Sequence, residues 1–340
     1  MKQTIQIVIE QLEKGKDMAL TTLIAGIGST PRGAGTHMWA SSDGSSGGTI
    51  GGGMVEHKAS LKAVEALEHK TSILQEYNLG SNDAASIGMI CGGSVAAYCQ
   101  YISHKDAKTL DLFKQMKEAL GEDEKAWFIL DITETSEWKM GLYTEKSGLF
   151  GLDICEVKEM LKNKAGEMKV GERCYYIEPI IKAGIVYVFG GGHVSQALVP
   201  VLTNLDFTCV VFDDREEFAN AKRFPSAKET HVGEFTNIGN YINITKHDYV
   251  IVMTKGHKGD YDVQAHALSK KPFYIGVMGS KAKLGNNAKI LMEKGFTKEE
   301  IDKCHMPIGL AIHAETPEEL AISVAGELIM LRATRGLESL

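Results

Sequence analysis

The chain has 340 residues, of which 44% are apolar and 24% charged, and a formal net charge of −7. That length suits two domains of ordinary size, and the balance of apolar and charged residues excludes a disordered chain. An acidic balance also argues against broad nucleic-acid or anionic-membrane binding, which needs a basic face.

The opening residues 3–15 predict an amphipathic helix stopped by Gly15, and the apolar run Met18–Ile27 predicts a buried strand. MKQTIQIVIEQLEKGK lacks the apolar core of a signal peptide, and no stretch approaches 18 apolar residues, so a cytoplasmic location is expected. The loop GSTPRGAGTHMW follows, then GSSGGTIGGG at 44–53, with six glycines in ten positions. Met54–His69 has helical spacing, and CGGS at 91–94 leads into the strand-like VAAYCQYI. Residues 1–103 are therefore read as one domain.

Residues 104–183 are less legible. Ala107–Leu120 reads as a helix, and Ala126–Ile132 and Glu172–Ile181 as strands, with Lys162–Glu172 a linker or hairpin. The segment is expected to complete the N-terminal part. From 184 to 340 the pattern is regular. Strands Ile185–Phe189, Thr208–Phe212, Tyr249–Met253 and Phe273–Val277 alternate with helices Val194–Leu205, Tyr261–Ser269, Lys283–Lys294 and Pro317–Arg332. Thr316, Pro317 and Glu319 form a capping-box arrangement at the start of the last helix. Such alternation implies βαβ crossovers. The predicted fold is α/β: a C-terminal Rossmann-like parallel sheet domain plus a separate N-terminal mixed α/β domain.

In the C-terminal half, Gly190-x-Gly192-x-x-Ser195 is a GxGxxG variant in the required strand–turn–helix context. Small residues there let a backbone approach a pyrophosphate, and the helix N-terminus offers free N–H groups. The next strand ends at Asp213-Asp214, a little over twenty residues on, where a carboxylate would bind a ribose hydroxyl. Read structurally instead, the turn is a Rossmann feature with no nucleotide. Loops TKGHKGD, MGSK and PIGLAIH fall at the same strand ends, so Lys255, His257 and Lys281 could join Gly190 and His193 in an anion site, or be solvated loop residues.

In the N-terminal half, Gly28-Ser29-Thr30-Pro31-Arg32-Gly33 constrains an arginine suited to phosphate or carboxylate. Gly51-Gly52-Gly53 runs into a helix whose first turn carries Glu56, which could either hydrogen-bond a heterocycle or complement the helix dipole. Cys91 is either an exposed turn thiol able to handle sulfur or an inert buried one. The other cysteines, Cys99, Cys155, Cys174, Cys209 and Cys304, are scattered, with no CxxC pair and no zinc spacing, as expected of reduced thiols. There is no Ser-His-Asp order, HExxH or Walker A motif, and no residue is expected to hold a metal directly.

GSTPRGAG, GTIGGGMVE, CGGSV, VFGGGHVSQAL, FDDR, RFP, TKGH, YIGVMGS and PIGLAIHAETPEELAISVAGE together resemble the xanthine dehydrogenase accessory protein family (the XdhC/CoxI family). The resemblance covers about 20–103 and 184–333. It implies a molybdenum cofactor-binding chaperone, not a turnover enzyme. Such a protein protects the molybdopterin cargo during sulfuration and delivers it to a xanthine dehydrogenase-type molybdenum hydroxylase. The implied partners are that hydroxylase and a cysteine desulfurase, with room for a homodimer. Molybdenum would arrive with the cofactor. The matching positions are Gly28, Ser29, Arg32, Gly51, Gly52, Gly53, Glu56 and Cys91, then Gly190, Gly192, His193, Asp213, Arg215, Lys255, His257, Gly279 and Ser280. The alternative is an NAD(P)-dependent oxidoreductase using the Rossmann domain, for which no catalytic acid–base pair is evident.

Overall fold

The structure is a computed structural model. It describes residues 1–27, 33–78, 94–121, 124–134, 139–155, 157–180 and 184–334, leaving aside the side chains of 26, 27, 78, 257, 258, 281–284 and 334. The chain divides into two compact units, Met1–Lys182 and Ala183–Arg335.

The N-terminal unit contains two five-stranded sheets. The first comprises β1 (Met18–Ile27), β2 (His37–Ser41), β3 (Ser46–Gly48), β4 (Ile73–Asn78) and β5 (Ser94–Ile102), in the order β3-β2-β1-β5-β4 with every pairing antiparallel. The second lies in the segment that the sequence left least legible. It comprises β6 (Ala126–Asp131), β7 (Lys139–Thr144), β8 (Gly148–Phe150), β9 (Gly166–Val170) and β10 (Arg173–Ile180), in the order β8-β7-β6-β10-β9. The stretch Lys162–Glu172 holds β9, the outer arm of a hairpin with β10.

The helices α1 (Lys2–Glu13) and α3 (Ala107–Gly121) share one core with both sheets. Ile5, Val8, Leu112 and Met116 meet Leu20 and Ile24 of β1, and Phe128 and Tyr176 of the second sheet. Alternation along β6 explains the layering: Phe128 and Leu130 face this core, while Trp127 and Ile129 face a smaller cluster with Met160, from the single turn α4 (Val157–Met160). The opposite face of the first sheet is covered by α2 (Gly53–His69), through Val55 and Ala59.

A buried polar bridge also joins the two sheets. The Nε2 of His37 on β2 lies 3.0 Å from each carboxylate oxygen of Glu178 on β10. Tyr176 donates to the same carboxylate at 2.8 Å, and the Oγ1 of Thr22 lies 3.0 Å from the other imidazole nitrogen.

At the start of β1, burial alone would raise the Asp17 carboxyl. The His104 backbone N–H, the Tyr101 hydroxyl and the His104 ring outweigh burial and hold it down at about 2. This stabilisation is fully present above the ordinary carboxyl value and is lost as pH falls through about 2. At roughly 1.4 kcal/mol per tenfold change in proton affinity, it amounts to about 2–3 kcal/mol. Acid titration of unfolding should therefore show a loss between pH 4 and 2 that Asp17→Asn flattens. An unchanged profile in that variant would refute the assignment.

In the C-terminal unit, β11 (Ile185–Phe189), β12 (Thr208–Asp213), β13 (Glu229–Val232), β14 (Tyr249–Val252) and β15 (Tyr274–Val277) form an all-parallel sheet in the order β13-β12-β11-β14-β15. Its central strands are buried on both faces, as crossover connections require. Tyr187 and Phe189 face Val263 and Leu291 from α6 (His257–Lys270) and α7 (Lys281–Glu293). Val186 and Val188 face Leu198 and Leu202 of α5 (His193–Asn204), and Val324 and Leu328 of the last helix. After the short α8 (Lys298–Asp302), that last helix is α9 (Pro317–Thr334), whose Thr316–Glu319 capping box forms as predicted.

Among the described residues, no helix is long and apolar enough to cross a membrane.

Candidate functional site

In the N-terminal unit, Gly51, Gly52 and Gly53 all have positive φ, at 125°, 76° and 63°, so this loop needs residues without a Cβ. Glu56 turns back onto it. Its carboxylate accepts from the Ile50 N–H at 3.1 Å, from the Gly52 N–H at 3.0 Å, and from the Thr49 hydroxyl. The Thr49 bond first, then the backbone donors against the pull of burial, hold the carboxyl below its ordinary range. All three bonds end on Oε2 of Glu56, in the first turn of α2. That carboxylate oxygen clasps the glycine loop. Gly28, Ser29, Arg32 and Cys91 lie outside the described residues.

In the C-terminal unit, the ends of β11, β14 and β15 stand in register, with Phe189 beside Val252 and Val252 beside Val277. The loops after them therefore share one edge, where parallel sheets bind ligands. Gly190 donates to the Phe212 carbonyl at 2.8 Å, and its missing Cβ would stand 2.3 Å from the Met253 carbonyl oxygen. Gly191 is crowded in the same way by the Phe218 carbonyl oxygen, at 1.8 Å. Gly192 is different: a Cβ there would meet nothing within 4 Å. It is the N-cap of α5 and has no side-chain cap, and the exposed His193 begins the helix. Ser195, at the third motif position, is fully buried and donates to the Gly190 carbonyl, so it closes the turn.

Asp213 ends β12 with its side chain fully buried. Its Oδ2 accepts from the Gly191 N–H at 2.8 Å and from Arg215 Nη2 at 3.1 Å. Its Oδ1 accepts from Arg215 Nε at 2.9 Å and from the Arg215 backbone N–H at 3.1 Å. Burial alone would raise this carboxyl, but the arginine fork and the Gly191 N–H hold it below the ordinary range. The Arg215 guanidinium lies 3.7 Å from the centre of the Phe218 ring, and Arg223 lies 4.8 Å from the same ring while donating to the Gly191 carbonyl at 3.0 Å. Sequence reasoning missed Phe218 and Arg223. The spacing DDREEF carried no signal that this stretch folds over the glycine turn.

The other predicted positions fall at the same sheet edge. Lys255 follows β14 and is exposed, Gly279 is half-buried after β15, and Ser280 is exposed. His257 opens α6 and Lys281 opens α7, though their side chains are not described. The loop containing Lys255 is shaped by Asp260, which accepts from the Thr254 N–H and hydroxyl. The PIGLAIH stretch is held by Glu327 of α9, which accepts from Tyr274, from the Gly309 N–H and from the His305 ring.

Burial pushes the thiols of Cys99, Cys209 and Cys304 up to about 11, 12 and 12, which makes each a poor sulfur nucleophile. Cys155 is exposed.

The sequence profile of the XdhC Rossmann domain matches residues 186–328, and that of the XdhC and CoxI family matches residues 11–78. A protein of Bacillus subtilis (strain 168), named as a probable subunit of xanthine dehydrogenase, is 26% identical over 330 residues, covering 94% of this chain and 95% of that protein. The uncharacterized protein YqeB of Escherichia coli (strain K12) is 23% identical over 320 residues, covering 94% of this chain but 44% of that longer protein. A crystal structure of a xanthine dehydrogenase from Bacillus halodurans has the same fold, with a TM-score of 0.81 and 24% identity, covering 99% of this chain and 97% of that one. With a profile matched in each unit and a relative aligned along nearly its whole length, the chain belongs to the XdhC/CoxI family.

Proposed function

We propose that this protein is an accessory factor of xanthine dehydrogenase maturation that carries the molybdenum cofactor. It would hold the molybdopterin cargo while sulfur supplied by a cysteine desulfurase is installed, and then release the cargo to a molybdenum hydroxylase of the xanthine dehydrogenase type. Family membership and the name of the Bacillus subtilis relative support the setting.

The observation that carries the reading is Gly192. It opens a 12-residue helix, its N–H end has no side-chain cap, and the space its Cβ would fill is empty. Such a backbone accepts a phosphate at close range, and the pterin cargo carries one. Lys255, exposed at the same sheet edge, adds a cation for that phosphate. The oxidoreductase alternative is disfavoured, because the carboxylate it would use for a ribose is occupied by Arg215.

Gly192 gives a clean test. Its φ of −69° suits alanine, and the new methyl group would meet no protein atom within 4 Å. Gly192→Ala should therefore unfold within about 0.5 kcal/mol of the parent protein. Purified from a cofactor-producing host, the parent should hold molybdenum and fluorescent pterin at near-stoichiometric level. Gly192→Ala and Lys255→Ala should each retain at least about tenfold less. Full retention by both variants would sink the pocket assignment. A parent that carries no pterin would sink the cargo reading itself.

A further inference from the structure

We propose that Arg215 is the specificity-determining residue of the C-terminal unit: its guanidinium takes the place on Asp213 that a nucleotide's ribose diol takes in dinucleotide-binding Rossmann folds, so the site rejects adenosine-diphosphate ligands. Three observations lead there. First, the strand order, the glycine turn and the carboxylate at the end of β12 are those of a nucleotide site. The bond from the Gly191 N–H to Asp213 marks that residue, rather than its neighbour Asp214, as the carboxylate against the turn.

Second, both oxygens of Asp213 are engaged by a two-pronged fork from Arg215 and by two backbone N–H groups. A carboxylate reads a vicinal diol by accepting from both hydroxyls, and here its accepting positions are filled. A diol placed at this point would lose its partner and would also have to displace a charge-assisted fork.

Third, the fork is itself held in place. The Arg215 guanidinium stacks on Phe218, Arg223 faces the same ring, and Arg223 also donates to the Gly191 carbonyl. The phosphate approach at Gly192 is left open beside this closed diol position. The ligand class that fits is a phosphate monoester recognised at its phosphate, with no ribose read next to it.

Beyond the proposed function, the inference concerns only what the C-terminal unit excludes, so it can fail while the cargo reading stands, and the reverse. The test is titration of the full chain with NADH, followed by fluorescence, and with ADP-ribose, followed by calorimetry. The parent should show no saturable binding of either up to about 1 mM. Arg215→Met, which keeps an apolar stem over Phe218, and Arg215→Gln should each bind ADP-ribose at least about tenfold tighter than the parent. Circular dichroism establishes that each variant is folded. Binding of NADH or ADP-ribose by the parent with a Kd below about 100 µM would overturn the proposal without any variant. So would folded Arg215 variants that gain nothing.

Discussion

Replacing Glu178 by leucine should destabilise the N-terminal unit by about 2–6 kcal/mol, since it leaves two buried polar groups without their partner at about 1–3 kcal/mol each. The side chains of His37 and Glu178 are 3% and 7% exposed, so water cannot replace what is lost. Leucine nearly fills the volume of glutamate, so the effect is not a cavity. It arises from polar groups left behind: the His37 Nε2 side of the ring and the Tyr176 hydroxyl, which both meet the Glu178 carboxylate. Burial first, then the neighbouring carboxylate, already push the Tyr176 phenol well above its ordinary range, so it cannot relieve the loss by ionising.

A double-mutant cycle separates this from general damage. Tyr176→Phe combined with Glu178→Leu should lose less than Glu178→Leu alone, because it removes one of the two polar groups that the leucine orphans. Chemical denaturation followed by tryptophan fluorescence can read all the variants, since Trp127 sits on β6, beside β10. A loss below about 1 kcal/mol for Glu178→Leu would show that the apolar core alone joins the two sheets.

How far the fold was legible follows from how each strand is buried. Ile185–Phe189 was read to the residue because a strand covered on both faces must be apolar throughout. The second sheet of the N-terminal unit was half-seen. β6 and β10 carry continuous apolar faces, whereas β8 is three residues long and β9, Gly-Glu-Met-Lys-Val, alternates for only five residues inside a polar stretch. The sequence places the start of α6 at Tyr261 because GHKGD reads as a loop, whereas the helix begins at His257, with Gly256 as N-cap and Asp260 in the first turn. At the site, the glycine turn and the Asp213-Asp214 pair were legible from spacing, but the choice between the two carboxylates was not. What Asp213 touches was not, because a carboxylate two residues before an arginine pairs with it only when the strand ends at that point. The roles of Glu56 and Ser195 were hidden for the same reason. Each side chain folds back onto its own loop, and the sequence does not record which way it points.

Gly191 and Gly192 are neighbours in one motif, and substituting them should have opposite consequences. Gly191→Ala places a methyl group 1.8 Å from the Phe218 carbonyl oxygen and 2.7 Å from its carbonyl carbon, and both are backbone atoms that cannot rotate away. The segment carrying Phe218 has to lift. As it lifts, the Arg215 and Arg223 contacts to the Phe218 ring and the Arg223 bond to the Gly191 carbonyl are lost with it. Overpacking at a rigid contact costs about 1–3 kcal/mol before such losses are added, so a total of about 3 kcal/mol or more is expected. For a unit of this size, that lowers Tm by about 6–12 °C. Gly192→Ala adds the same methyl group one residue later, into open space, so its Tm should stay near that of the parent while cargo retention falls. One glycine is therefore packed against backbone and the other faces open space, although the motif gives both the same letter. Differential scanning calorimetry of the two variants decides the matter. Equal Tm values would mean that the Phe218 segment yields freely, and the division of roles would fail.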